Sequence, residues 1–301
     1  MTEPRLVVSV GDLMTDVVAL ARETAAAGSD TRSNVRVGGG GAAANTAAWL
    51  AFTGHPVAFV GRAGDDVLGR AALAELREAG VLVRAAVDPV LSTGVCVVVV
   101  GLDGQRSMYP NAGANAALSP VDLPADLLGP GGAKVHLHLS GYSLLSAGSR
   151  PAALAAVAVA RAAGHSVSID PASAGPIGSC GPATVLGWLD GAQLLLANED
   201  EARLLAGEPD PMTAGAILAE RFGETVVKLG ARGAAWFGSA GACAQVPATP
   251  ARVLDTTGAG DCFAAGFVPA WLAGAEPAAA LEAGCALAAR VVAVAGARPP
   301  G

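Results

Sequence analysis

Lysine is almost missing from this chain: Lys134 and Lys228 are the only two among 301 residues. Lys and Arg together number 19 against 26 Asp and Glu, a net charge of −7, and no basic run occurs. Nothing continuous is offered to a nucleic-acid backbone or an anionic membrane. No Gly-Lys pair occurs anywhere, which excludes a Walker-type phosphate loop. The five cysteines, Cys96, Cys180, Cys243, Cys262 and Cys285, are scattered, odd in number and never spaced Cys-x-x-Cys. They frame neither disulfides nor a zinc site and read as free buried thiols in a reducing compartment. The Ala/Val runs are broken by Arg or Gly before reaching about 18 residues, so no membrane span is expected. The opening Met-Thr-Glu-Pro-Arg leads straight into a strand-like run without a signal-peptide pattern, and a cytoplasmic protein is expected.

What the chain does have is small apolar residues. Hydrophobic residues make up 52%, mostly Ala, Val and Leu, with 4% aromatic. That suits an Ala-rich α/β protein with closely packed helices, and the length can bury a full core. Apolar or β-branched runs at 6–10, 57–60, 95–100, 135–139, 166–170, 193–197, 225–229 and 234–237 predict strands. Helices are predicted at 67–79, 150–163, 184–189, 201–206, 212–222, 262–273 and 277–294. Residues 102–105 read as a hairpin turn with a return strand at 106–109. This alternation implies a mostly parallel sheet with helices on both faces. His136 and His138 share one face of a strand and read as packed histidines rather than a metal pair.

Ligands of such sheets sit beyond the carboxyl ends of the strands. Asp16, Asn45, Ser140, Asn198, Glu201 and Asp261 all fall after strands or at helix starts and can converge there. Asp12 and Asp16 flank an apolar turn, as ordinary turn residues or as groups facing a polar ligand. Gly38 to Gly41 and the small residues after them, opening a helix that carries Asn45, allow a ligand close to the backbone. The stretch fits G-x-G-x-x-A loosely. It lacks both a strong preceding strand and the acid about 20 residues on, so a dinucleotide fold is set aside. Asn198 and Glu201 lie one helical turn apart. They can hold water around magnesium, or Asn198 can simply cap its helix.

The stretch 253–267, Val-Leu-Asp-Thr-Thr-Gly-Ala-Gly-Asp-Cys-Phe-Ala-Ala-Gly-Phe, reads as a tight turn followed by a helix. Gly258 and Gly260 suggest backbone conformations closed to other residues. A helix's first turn presents unpaired N–H groups and a positive dipole end, an anion cradle. Asp261 within it is either a helix N-cap or a base that takes a proton from a nucleophile attacking the anion.

Asp-Thr-Thr-Gly-Ala-Gly-Asp-x-Phe-x-Ala-Gly resembles the C-terminal signature of the ribokinase-like (PfkB) carbohydrate kinase family. Gly-Gly-x-x-x-Asn at 40–45, Asn198-x-x-Glu201 and Val-Lys-Leu-Gly-Ala-Arg-Gly at 227–233 match further family motifs in the family's order. The resemblance implies a three-layer α/β/α sandwich with a mostly parallel central sheet, one domain over 1–301. A small β-sheet lid of about 12–37 and 95–111 would be inserted in it. It implies ATP-dependent phosphorylation of a sugar hydroxyl, with Asp261 as base and the N–H groups of Gly258, Ala259 and Gly260 as anion hole. Asp12, Asp16, Gly40, Gly41, Asn45 and Arg106 would bind the sugar. Asn198, Lys228, Gly230, Gly233 and Cys285 would bind the nucleotide. Asn198 and Glu201 would hold Mg2+ through water, and Asp255 and Thr257 match positions where some members bind a monovalent cation such as K+. A homodimer through the lid is expected, because the 95–100 strand is too apolar to stand exposed.

Lys228 stands where ribokinases commonly carry Thr, Ala42 where they carry Lys, and Met14 where they carry Asn. These departures leave the reaction class and weaken ribose as substrate. A nucleoside kinase of the same fold would want more aromatic surface than Tyr109 and Phe52 near the lid. A non-catalytic sugar-binding sensor would not need base, anion cradle and magnesium motif together.

Overall fold

The structure is a computed structural model that describes residues 5–24, 28–102 and 106–300, the side chain of Arg106 excepted. The expected hairpin turn at 102–105 therefore falls largely outside the described residues. The chain enters the core with β1 (Val7–Val10), then builds β2 (Met14–Ala21), β3 (Ser33–Gly40), helix α1 (Ala42–Phe52) and β4 (Val57–Val60). β5 (Arg62–Gly64), α2 (Val67–Glu78), β6 (Leu82–Val83) and β7 (Ala86–Asp88) precede the hairpin of β8 (Gly94–Val100) and β9 (Arg106–Asn111). A short helix α3 (Ala125–Leu128) leads to β10 (His136–Ser140), α4 (Tyr142–Leu145), α5 (Arg150–Ala162) and β11 (Ser166–Asp170). Next come α6 (Ala174–Cys180), α7 (Pro182–Trp188), β12 (Leu194–Asn198), α8 (Glu199–Ala206), α9 (Pro211–Phe222) and β13 (Glu224–Lys228). β14 (Ala234–Phe237), β15 (Cys243–Val246), α10 (Ala259–Leu272) and α11 (Pro277–Val291) complete the series.

Nine strands form one sheet in the order β15-β14-β13-β12-β11-β10-β1-β4-β6. From β13 to β6 the pairs are parallel, and only the β13–β14 and β14–β15 pairs run antiparallel. Side chains alternate between two cores, as the period of a strand requires. Val8, Val10, Ala58, Val60, Leu195 and Ala197 pack on one face against α5 and α9. Val7, Val57, Phe59, Leu194 and Leu196 pack on the other with α1, α2, α10 and α11. Strands buried on both faces read as plain apolar runs, which is why the sequence signals them so clearly. Trp49, Phe59 and Phe267 are among the largest fully buried side chains, each contributing on the order of 2–3 kcal/mol by transfer.

A separate four-stranded sheet has the order β3-β2-β8-β9, with β2 and β8 parallel and both outer pairs antiparallel. Its register puts Val17, Val35, Val37, Val97, Val99 and Tyr109 on one face and Asp16 and Cys96 on the other. The first face is open: Val37 and Tyr109 are 64% and 63% exposed, while Cys96 is buried.

Several local expectations need correction. Gly38, Gly39 and Gly40 belong to β3 and do not open the helix, which starts after Gly41, and the short strand β5 carried no signal. β15 and α6 carry no strong periodic signal and were not expected. Phe52 lies at the far end of α1, edge-on to Trp49 at 5.4 Å and under Arg290 at 4.8 Å, away from the small sheet. His136 and His138 are buried, and both share Ser168 Oγ, at 2.8 and 2.9 Å. Burial holds both rings below their ordinary pKa, His138 at about 4, so they are neutral packed histidines. Among the described residues no helix is long and apolar enough to cross a membrane, and no three His, Cys, Asp or Glu group as a metal site.

Candidate active site

The carboxyl ends of β10, β11, β12 and β13 bring polar residues side by side. Register pairs Ser140 with Asp170 and Asn198 with Lys228. Two helix starts face this row. α1 begins after Gly41, whose φ of 88° is open only to glycine at little cost. Its first N–H, on Ala42, donates to Asp12 Oδ2 at 2.9 Å, and Ser140 Oγ donates to Asp12 Oδ1 at 2.8 Å. Asp12 thus ties the start of α1 to the end of β10.

α10 begins after Gly258, which is left-handed with φ 75°. Gly260 has no such conformation; it is helical, and a Cβ there would stand 3.1 Å from Lys228 Nζ. Its missing side chain makes room for the lysine, which corrects the backbone reading of that glycine. The first helical hydrogen bond runs from Cys262 N to Gly258 O at 2.9 Å, so the preceding N–H groups lack helical partners. Ala259 N reaches only Thr256 O, at 3.3 Å.

Asp261 is the third residue of α10 and does not cap it; Gly258 holds the N-cap position. Its Oδ2 accepts from Asn45 Nδ2 at 2.8 Å. Burial pushes its pKa up to about 7; the Asn45 hydrogen bond opposes that, Asp170 and Asp12 add to it, and Lys228 opposes it. Asn45 Oδ1 is buried without a hydrogen-bond partner. A carboxylate poised near neutrality under open N–H groups is suited to proton abstraction beside an anion.

Asp16 lies flush against Gly40: a Cβ there would meet its carboxylate at 2.4 Å. Burial raises its pKa to about 6 against the pull of Arg298. Lys228 Nζ donates to Asp170 Oδ2 at 2.5 Å, and Asp170 Oδ1 accepts from Ala172 N at 3.0 Å. Glu201 is buried beside them, and burial followed by the charge of Asp170 pushes its carboxyl above the usual range. Asn198 and Glu201 also form a complete capping box: Asn198 N donates to Glu201 Oε2 at 2.8 Å, and Glu201 N to Asn198 Oδ1 at 3.0 Å.

The pfkB family carbohydrate kinase profile matches residues 4–300. This chain belongs to the pfkB family. It is 33% identical over 280 residues to the ATP-dependent ribose-1-phosphate kinase of Halopiger xanaduensis, covering 92% of this chain and 88% of that protein. The adenosine kinase of Sinorhizobium meliloti superposes with TM-score 0.88 at 24% identity, over 99% of this chain and 96% of that one. The fructokinase of Vibrio cholerae O395, solved with fructose, ADP and calcium ion bound, gives TM-score 0.82 at 25% identity, over 98% and 95%. The expected ribokinase-like sandwich with its lid sheet is borne out, and so is the expected ATP-dependent carbohydrate kinase of the pfkB family.

Within this pfkB chain the other candidate residues fall in four places. Gly230 opens the turn between β13 and β14, and Gly233, at φ 96°, packs against Val246 O. Asp255 Oδ1 accepts from Thr257 N at 2.9 Å and Oδ2 from Gly296 N at 3.0 Å, joining the loop before α10 to the segment after α11. Cys285 lies on the buried face of α11, and among the described residues no hydrogen bond joins it to the other candidates. Arg106 opens β9, and its side chain lies outside the described residues.

Three residues at the site were not singled out from sequence. Asp170 reads locally as a strand's last residue before Pro171, and its Asp-Pro at a strand end is the signal that was available. Tyr142 follows β10; burial, then Asp12 and Asp261, push its phenol up to about 12. Arg298 donates to Ala44 O at 2.7 Å and Gly40 O at 3.0 Å, with its side chain 8% exposed. Next to it Ala297 O accepts from Trp49 Nε1 at 2.8 Å, and the Ala297 Cβ lies where a side chain on Gly258 would go. No local pattern marks this segment.

Proposed function

We propose that the protein transfers the terminal phosphoryl group of ATP to a sugar hydroxyl, with Asp261 as general base. The observation that carries this reading is Asp261 itself, held by Asn45 under the first turn of α10 with a pKa near 7. Phosphoryl transfer needs positioning and charge stabilisation rather than covalent help. The N–H groups of Gly258, Ala259 and Gly260 would face the transferred group. Asp16, Gly40, Gly41 and Asn45 would hold the sugar, with Asp12 fixing the helix start and Arg106 reaching from the lid. The unpartnered Asn45 Oδ1 suits a donating hydroxyl.

Asn198, Lys228, Gly230, Gly233 and Cys285 would line the nucleotide side. The buried Glu201 carboxyl, with Asp170 beside it, offers oxygen and negative charge, the donor set hydrated Mg2+ prefers. Asn198 and Glu201 would hold the ion through water, and when bound it would neutralise phosphate charge. Asp255 and Thr257 would stand by a monovalent cation, K+. The lid segments at about 12–37 and 95–111 would close over the sugar within the one domain of residues 1–301. The open valine face of the lid would meet its copy in a homodimer, since such a patch is costly to leave in water.

The names of the relatives, a ribose-1-phosphate kinase and a fructokinase, frame the test. ADP formation is measured against pentoses, hexoses, their phosphates, sugar acids and nucleosides. Turnover with one sugar class is expected; ADP release that no acceptor accelerates would overturn the reading.

A further inference from the structure

Lys228 sits where the two halves of the site meet. On one side it pairs in register with Asn198, and on the other its Nζ approaches Gly260 so closely that a methyl group there would stand 3.1 Å away. The side chain is 14% exposed. An ammonium carries three N–H donors, and among the described residues Asp170 Oδ2 is the one hydrogen-bond partner of Nζ. Two donors are left beside the open N–H groups of α10. Asp170 is itself clamped by Ala172 N at 3.0 Å, and Ala172 has a φ of 80°, a conformation that costs a non-glycine residue energy. Asp170 supplies the countercharge beside the ammonium.

We propose that Lys228 is a catalytic residue that donates to the phosphoryl group in flight, and that Asp170 is the positioning residue holding it over Gly258–Gly260. This rests on the kinase reading above. In the step, the bond between the terminal phosphorus of ATP and its bridging oxygen breaks, and that electron pair leaves on ADP. The acceptor oxygen bonds to the phosphorus and its proton passes to Asp261. Lys228 keeps all three protons and offsets charge gathering on the equatorial oxygens. A fixed cation in a site shielded from water acts more strongly there than in solution.

The test compares wild type with Lys228→Met, Lys228→Arg, Asp170→Asn and the Lys228→Met/Asp170→Asn double variant. ATP and ADP affinities are measured by calorimetry with magnesium and no acceptor, kcat with the best acceptor of the panel, and folding by circular dichroism. Lys228→Met is expected to lower kcat about 100-fold, the usual scale for one donor to a developing anion. It should weaken ATP at least about tenfold and ADP no more than about twofold, because the terminal phosphate is what the ammonium meets. Lys228→Arg keeps a cation and should keep the preference for ATP over ADP; losing it as Lys228→Met does would count against the proposal. Asp170→Asn should lower kcat roughly tenfold with ADP affinity unchanged, as a positioning role predicts.

A purely structural ion pair predicts the reverse for the double variant, which has no charge left unpaired and would recover activity. Recovery, or equal losses for ATP and ADP, would overturn the proposal; a double variant as slow as Lys228→Met supports it. Should Lys228→Met fail to fold, Lys228→Arg and Asp170→Asn still decide. A wild type that binds ATP yet phosphorylates nothing would overturn the kinase reading, while its ATP-to-ADP comparison with the variants still judges Lys228.

Discussion

Asn45 Nδ2 donates to Asp261 Oδ2 at 2.8 Å across the gap between the first turns of two helices. The amide binds the carboxylate with one end and keeps a buried, unspent oxygen at the other. Under the proposed mechanism, one sugar hydroxyl would donate to that oxygen and so set the neighbouring acceptor hydroxyl beside Asp261. Sugar binding and deprotonation would then be coupled through one side chain.

Replacing Asp261 by Asn keeps the shape and an acceptor for Asn45 while removing the base. A loss of at least about 100-fold in kcat is expected, within the usual range for general-base catalysis. Sugar affinity should hardly change. Near wild-type turnover in this variant would remove Asp261 from the mechanism.

The pH profile follows from the raised pKa. Asp261 must be ionised to accept a proton, so kcat should climb through about pH 7 and level off above it. Asn45→Ala removes a hydrogen bond that lowers this pKa, and the climb should move to higher pH. Stability has its own sign. The folded state keeps the proton where the unfolded chain has lost it, so the stabilising contribution is present below the ordinary aspartate value of 3.8 and is lost as pH rises through about 7. The melting temperature of Asp261→Asn relative to wild type should therefore be higher at pH 8 than at pH 5.

Glu201 is both a cap partner and the acid proposed to hold magnesium-bound water. Glu201→Gln preserves the capping-box geometry and removes the charge. The magnesium concentration for half-maximal rate should rise, with sugar KM little changed and melting temperature close to wild type. Unchanged magnesium dependence would leave capping as its role.

Arg298 lowers the pKa of Asp16, which burial has raised to about 6. Without that guanidinium the carboxyl should take up a proton at higher pH. Arg298→Met should then raise the sugar KM more at pH 6 than at pH 8, with a smaller effect on kcat. An equal rise at both pH values would point to lost packing at Gly40 and Ala44 instead.

The open lid face predicts an assembly. Val35, Val37, Val97 and Val99 stand on it, with Val37 64% exposed. Light scattering at micromolar concentration should give a dimer, and Val37→Glu should give a monomer. A wild-type monomer would leave the patch without its proposed partner.

The main sheet was legible because strands buried on both faces are short apolar runs closed by polar residues at one end. The motifs at 40–45, 198–201 and 255–261 were legible because each is local, a turn and the helix it opens. What the sequence hid is what distant residues do to a local feature. Gly39 and Gly40 look like the opening of a helix; they are strand, and their bareness is demanded by Glu75, Arg298 and Asp16. Gly260 looks like a turn residue and is a space for Lys228. Arg298 carries no pattern of its own and Asp170 only an Asp-Pro at a strand end, because their neighbours arrive from elsewhere in the fold.

The segment 296–298 gives the site an order in time. Its contacts run back to Asp255, Trp49, Ala44 and Gly40, the last a separation of 258 positions. Synthesis proceeds from the N-terminus, and earlier parts of a chain fold while later ones are still being made. A nascent chain can therefore bury much of its sheet while the residues that brace Gly40, Ala44 and Gly258 are still inside the ribosome. Under the proposed function, the site would be completed only by residues translated after every group that would do its chemistry.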